Sequence, residues 1–223
     1  MIVLPSLKDY TKKRPRRPQY EEPSLVPDFL AYPEYWKEIK KILFALSARS
    51  PLVGDILKRI NTIAGFFGSR LHPVTLEPHY YHIGVEVDAR AKQQVKPILN
   101  GILEYSGYGV LNGYYVLLSH PQIQTEDGYI LHTMYCHLKK PLVKFNSYQK
   151  MLREISLGSY PLIDIDTDTV LGLVGSSGDT IGDKPKLYLQ CDFRKYGETS
   201  IAVDPMNFYS PDIHTNESKY LEL

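Results

Sequence analysis

Between Glu34 and Arg49 the apolar side chains Trp36, Ile39, Leu43 and Leu46 recur three or four residues apart, which lays one apolar stripe along a helix. Pro51 closes that helix, and Val53, Ile56, Leu57 and Ile60 predict a second one over 52–63. The pattern then changes. Ile83-Val85-Val87 and the stretches 98–105, 114–119, 129–136, 170–174 and 186–193 are rich in β-branched and aromatic residues, with Gly107, Gly113, Asp127-Gly128 and Gly178 between them. The expected fold is mainly β: an antiparallel, sandwich or barrel-like core with an N-terminal helical extension over 33–64. Residues 1–32, rich in Pro and charge, read as a flexible arm, and 210–223 as a C-terminal tail. Within 139–169, Tyr148 to Ile155 reads as an inserted helix, either a cover for a neighbouring cleft or a neutral surface insertion.

Composition bounds the partners. With 223 residues, 43% hydrophobic and 23% charged, the chain can bury a full core in one main domain. A formal net charge of +1 gives no basis for general nucleic-acid binding. The basic run from Lys12 to Arg17 reads as a solvated tail. No stretch approaches the ~20 apolar residues of a membrane helix. Met1-Ile2-Val3-Leu4-Pro5 is followed by polar residues and not by the apolar core of a signal peptide, so the expectation is a cytoplasmic protein, or an extracytoplasmic one whose targeting segment was removed. Cys136 and Cys191 are too few for a disulfide framework and read as buried thiols, able to meet if their strands are neighbours. No phosphate loop, CxxC pair or GxSxG elbow is present.

The chemistry concentrates in two segments, His82-Ile83-Gly84-Val85-Glu86 and Tyr188-Leu189-Gln190. Residues two apart on a strand share a face, so His82, Gly84 and Glu86 point one way, as do Tyr188 and Gln190. A His and a carboxylate flanking a Gly can both reach one metal. The second strand adds only a phenol and an amide.

Several blocks in order resemble the lysostaphin/LytM-type zinc endopeptidases, which cut peptide cross-links in bacterial cell walls. Phe67 to Pro73 resembles the family's FGxRxHP segment and His82-x-Gly84-x-Glu86 its HxGxD metal motif. Val95 to Gly101 falls on VxAxxxG, Tyr108-Gly109 with Val116 to His120 on GYG…VxIxH, and Thr133 to Leu138 on TxYxHL. Gly172 to Gly178 falls on IGxxGxTG, Leu187 to Arg194 on HLHFEVR, and Val203-Asp204-Pro205 on VDP. The resemblance covers 65–209. It implies a LytM-like, duplicated-hybrid-motif domain, zinc as cofactor, His82 and Glu86 as ligands, and His137 as one catalytic residue. Gln190 stands where the third ligand His is expected, and Tyr188 where the other catalytic His is expected.

Those departures matter chemically. Catalytic zinc is held by three ligands drawn from His, Cys and carboxylate. A neutral amide oxygen suits harder cations, and a phenol with a pKa of about 10 is a poor base near neutrality, though it can donate to an oxyanion. Three readings are open: a catalytically impaired LytM-like protein whose groove binds peptide, cell-wall glycopeptide or a protein partner; an active zinc metalloendopeptidase with a non-standard third ligand, His137 being one option; or a purely structural module. His72, His79 and His120 read as structural or surface residues, and His132 and His214 carry no signal. The chain holds 18 Tyr; of these Tyr80, Tyr81, Tyr108, Tyr114, Tyr115, Tyr135 and Tyr188 lie near the groove and read as strand formers or as a sugar-binding surface.

Overall fold

The computed structural model describes residues 1–13, 24–28, 30–54, 65–70, 80–144, 162–180 and 184–209. Three short strands open the chain: β1 (Ile2–Leu4), β2 (Thr11–Lys13) and β3 (Ser24–Pro27). Helix α1 (Pro33–Ala45) follows, then β4 (Gly68–Arg70), β5 (Tyr80–His82), β6 (Gly84–Asp88) and β7 (Gln94–Val95). The remaining strands are β8 (Gly101–Gly109), β9 (Gly113–Thr125), β10 (Ile130–Pro141), β11 (Asp164–Ile165), β12 (Gly172–Val174), β13 (Lys186–Arg194) and β14 (Ser200–Val203).

One large, mostly antiparallel sheet runs β11-β8-β9-β10-β13-β14-β3-β2, and its two ends do not meet. The expected β core is therefore present as an open sheet, and the barrel-like alternative does not describe it. Very short strands form both edges of the sheet, which limits the unpaired backbone that an edge exposes.

Helix α1 buries Trp36, Ile39 and Leu43, the stripe its spacing predicts. Pro33 occupies its first turn, where the missing N–H costs nothing. It stops at Ala45, short of the expected Arg49, because Ser47 turns to a φ of 52°. The predicted second helix begins with Leu52 to Gly54, which are bends, and 55–63 lies outside the described residues, as does the expected helix from Tyr148 to Ile155.

The stretch expected to be a flexible arm contributes β1, β2 and β3 instead. β1 pairs in parallel with β9, Ile2 opposite Ile123, and β3 in parallel with β14, Ile201 opposite Leu25. Leu4, Leu7 and Val26 are fully buried. Each such side chain stabilises by roughly 1.5–3 kcal/mol, enough to hold segments whose Pro content and charge argue for a loop. Lys12 and Lys13, the start of the basic run, lie in β2, and the rest of that run is outside the described residues.

Strand β13 has two chemically distinct faces. Its even-numbered residues, Lys186, Tyr188, Gln190, Asp192 and Arg194, share one, while Leu187, Leu189, Cys191 and Phe193 are fully buried in the core on the other. Cys136 is paired with Tyr188 and Thr133 with Cys191, so the two thiols face opposite sides of the sheet although their strands are neighbours. They are free, buried, and held in the thiol form by burial.

Candidate functional site

Strand pairing brings the two sequence segments together. β6 lies beside β13 with Glu86 opposite Tyr188 and Gly84 opposite Gln190, and β10 flanks the other side with Cys136 opposite Tyr188. His82, at the end of β5, donates from Nδ1 to the Phe66 carbonyl at 2.9 Å, since a carbonyl can only accept. Its ring lies 5.3 Å from that of Tyr188, and the His137 ring lies 5.9 Å from the same phenol. Tyr188 thus lies close to both histidines that the resemblance singles out.

His137 reaches this position through a break in its strand. Regular alternation would put it on the core face with Thr133 and Tyr135. Its φ of 59°, together with a slip in the β10–β9 register between Tyr135 and Leu138, turns the ring toward Tyr188 instead. A left-handed non-glycine residue costs on the order of 1 kcal/mol, and two hydrogen bonds offset it. The His137 N–H donates to the Asn112 carbonyl and Nδ1 donates to the Ser177 carbonyl, both at 2.9 Å. Burial lowers the pKa of His137 from its ordinary value, against the opposing pull of that carbonyl and of Asp179, 3.9 Å away.

Ser177 is the residue that fixes this corner. Its hydroxyl donates to the Leu138 carbonyl at 2.7 Å and accepts from the Tyr114 N–H at 2.8 Å. Gly113, with φ of 62°, admits the approach: a Cβ there would lie 2.2 Å from Ser177 Oγ. In the sequence Ser177 stands out only as part of a Gly-rich motif; its role arises from a hairpin tip packing on a distant loop.

The face of β13 forms a continuous polar chain. Tyr188 donates to Gln190 Oε1 at 3.3 Å, Gln190 Nε2 donates to Asp192 Oδ2 at 2.8 Å, and Arg194 donates to both Asp192 oxygens at 2.6 and 2.9 Å. A carboxylate only accepts, so Asp192 fixes which end of the Gln190 amide is nitrogen and leaves its oxygen to Tyr188. The Tyr188 ring also fills the space over Gly84. A Cβ at position 84 would meet Tyr188 Cζ at 2.6 Å and the Leu189 carbonyl at 2.7 Å. Gly84→Ala is expected to cost about 1–3 kcal/mol in denaturant unfolding. Adding Tyr188→Ala should return only part of that, because the Leu189 carbonyl stays in place.

Glu86, the remaining expected ligand, is paired with a cation. Lys186 Nζ lies 3.3 Å from Glu86 Oε1. No family motif marks Lys186, although its position two residues before Tyr188 puts it on the same face.

This donor set does not fit a three-ligand zinc centre. His82 is a competent ligand, but Glu86 faces an ammonium, Gln190 offers a neutral amide oxygen already accepting from a phenol, and Tyr188 covers the glycine between the first two. Among the described residues no group of three or more His, Cys, Asp or Glu is arranged to hold a metal ion.

The other histidines and tyrosines sort by burial. His120 is fully buried, with Nδ1 donating to the Asn100 carbonyl at 2.8 Å and Nε2 2.9 Å from the Thr133 hydroxyl, a structural role. His132 bonds its own strand at the Ile130 carbonyl, and His72, His79 and His214 lie outside the described residues. Tyr81 and Tyr135 belong to the core, while Tyr108 and Tyr114 form an exposed edge-to-face pair on the β8–β9 hairpin. No described helix is long and apolar enough to cross a membrane.

The class of protein this chain is similar to is the lysostaphin/LytM-type peptidases that its motifs resemble. Among solved structures it is similar to a zinc-containing peptidase from Vibrio cholerae, at 21% identity and TM-score 0.47, covering 73% of this chain and 40% of that one. It is also similar to the catalytic domain of the antimicrobial peptidase lysostaphin from Staphylococcus simulans, at 23% identity and TM-score 0.43, covering 65% and 87%. A third is a SpoIIIAH–SpoIIQ complex, at 16% identity and TM-score 0.47, covering 72% and 99%. The chain spans less than half the length of the Vibrio cholerae peptidase. No protein-family model and no curated protein matches it.

Proposed function

We propose that this chain is a LytM-like protein that binds a peptide segment, either a cell-wall glycopeptide or a stretch of a protein partner, beside Tyr188 and His137 without cleaving it. The observation that carries this reading is the closed hydrogen-bond chain on β13. Gln190 commits its oxygen to Tyr188 and its nitrogen to Asp192, at the position where a metal ligand is expected. Water activation by the family route needs a ligand with an available donor and a base near neutrality. Gln190 and Tyr188 supply neither. What remains suits recognition: a partly exposed phenol flanked by imidazoles, with the half-exposed Asp179 and the aromatic pair Tyr108 and Tyr114 on the neighbouring hairpin. Such groups offer an aromatic face and hydrogen-bond acceptors to peptide N–H groups.

A second reading, an active zinc metalloendopeptidase, draws on one observation. Both His82 and His137 donate Nδ1–H to a backbone carbonyl, the arrangement that orients imidazoles in metal sites. The two are separated by incubating the protein with cell-wall peptidoglycan, with and without added zinc, and following sedimentation and released peptide together. Co-sedimentation that Tyr188→Ala weakens, with no peptide released, supports binding. Release of peptide that is abolished by chelator and by His82→Ala establishes the peptidase instead. For a protein partner, affinity capture with Tyr188→Ala as the control replaces sedimentation.

A further inference from the structure

Lys186 lies two residues before Tyr188 and four before Gln190, on the face of β13 that carries both. Its Nζ is 3.3 Å from Glu86 Oε1, with the two side chains only 18% and 14% exposed. Its direct neighbour across the β6–β13 ladder is Asp88, whereas Glu86 sits opposite Tyr188, so the contact is a diagonal one between long side chains. A shorter acid at position 86 would have less reach toward it.

From this geometry we infer that Lys186 is a resident cation: its ammonium supplies at Glu86 the positive charge a metal would supply, and it excludes a divalent ion from that carboxylate. The inference rests on the metal-free reading of the proposed function. A carboxylate that chelates a metal aims an oxygen at it, and here that oxygen is aimed at an ammonium tethered to the adjacent strand. A divalent ion bound to Glu86 would sit within a few ångströms of that ammonium, where a mostly buried pair is poorly screened by salt. Removing Lys186 takes away the cation 3.3 Å from the shielded Glu86 carboxylate, so the pair also ties Glu86 to the metal-free fold.

Two consequences are measurable. Restoring histidines at the two altered positions, as Tyr188→His with Gln190→His, is expected to give only weak zinc binding in calorimetry, because Lys186 remains. Adding Lys186→Met to that double variant should tighten zinc binding at least tenfold, while adding Lys186→Arg should not. Equal affinities in the double variant and its Lys186→Met derivative, at any level including none, overturn the inference. In the wild-type background, Lys186→Met should lower the melting temperature, and Glu86→Gln added to it should return part of the loss. Simply additive losses overturn the inference independently of whether the histidine variants fold. Tight zinc binding by the wild-type chain is a different result: it defeats the metal-free reading itself, whichever way the Lys186 comparison falls.

Discussion

Trp36→Ala is expected to destabilise the chain by about 3–5 kcal/mol, the range for truncating a buried aromatic. Trp36 is 1% exposed, and its indole N–H donates to the Tyr10 carbonyl at 2.9 Å. Its neighbour Tyr35 stacks on the Tyr10 ring at a centroid distance of 3.6 Å, and the Tyr35 hydroxyl donates to the Ser6 carbonyl. Truncation therefore opens a cavity beneath α1 and takes one hydrogen bond from the Tyr10 carbonyl, which keeps the one it accepts from the Asp28 N–H. Both α1 and the segment between β1 and β2 should loosen together. Urea unfolding measures the loss, and proteolysis of residues 1–13 in the native state locates it; a change below ~1 kcal/mol, the ordinary scale of a point substitution, would show that α1 is not anchored this way.

The second large effect is a pH dependence centred on His120. Burial pushes its pKa down to about 4 from 6.5, despite the opposing hydrogen bond to the Asn100 carbonyl, and nearby His132 adds to the depression. Below pH 6.5 the unfolded chain takes up a proton that the folded one refuses. The stability contributed by the neutral, hydrogen-bonded imidazole is thus fully present above 6.5 and lost as pH falls toward 4. At ~1.4 kcal/mol per unit of separation this amounts to about 3 kcal/mol. Asp204 opposes it: burial raises its pKa to about 6 from 3.8, so its ionisation costs stability as pH rises through that interval. The two effects overlap in wild-type melts, so the measurement is a difference. The stability advantage of wild type over His120→Gln should shrink by about 3 kcal/mol between about pH 7 and pH 4, Asp204 cancelling between them. A constant difference across that range would contradict the assignment.

The elements legible in the sequence are those in which one local pattern decides the structure. The stripe of Trp36, Ile39 and Leu43 is sufficient for α1, and the β-branched runs locate β8, β9, β10 and β13, though each ends later than its apolar run because the ladder continues through polar residues, and β8 starts at Gly101, three residues after the expected start. The N-terminal strands are illegible for the opposite reason. β1 is three residues long and exists because Ile2 to Leu4 meet Ile123 to Thr125, far along the chain. The basic and Pro-rich surroundings carry no trace of that pairing.

The candidate site divides in the same way. Period-two alternation puts Tyr188 and Gln190 on one face of β13, and the family resemblance is what sets His82 and Glu86 beside them; His82 itself ends β5, in a separate two-stranded sheet with β4, while Glu86 lies in β6. How they are occupied is not legible in the sequence. The φ of His137, the hold of Ser177 on the hairpin tip, and the capture of Glu86 by Lys186 all depend on contacts between segments far apart in the chain. Only Lys186 leaves a signal, its place on the shared face of β13.

The proposed binding role requires a β13 face that satisfies its polar groups without a metal. The zinc content of the wild-type chain, after loading with excess zinc at neutral pH and removal of the unbound ion, decides whether it does. Substoichiometric zinc and a melting temperature unchanged by chelator are the expected result. One zinc per chain, surviving desalting, lost in His82→Ala and coupled to a chelator-sensitive melting temperature, would contradict it.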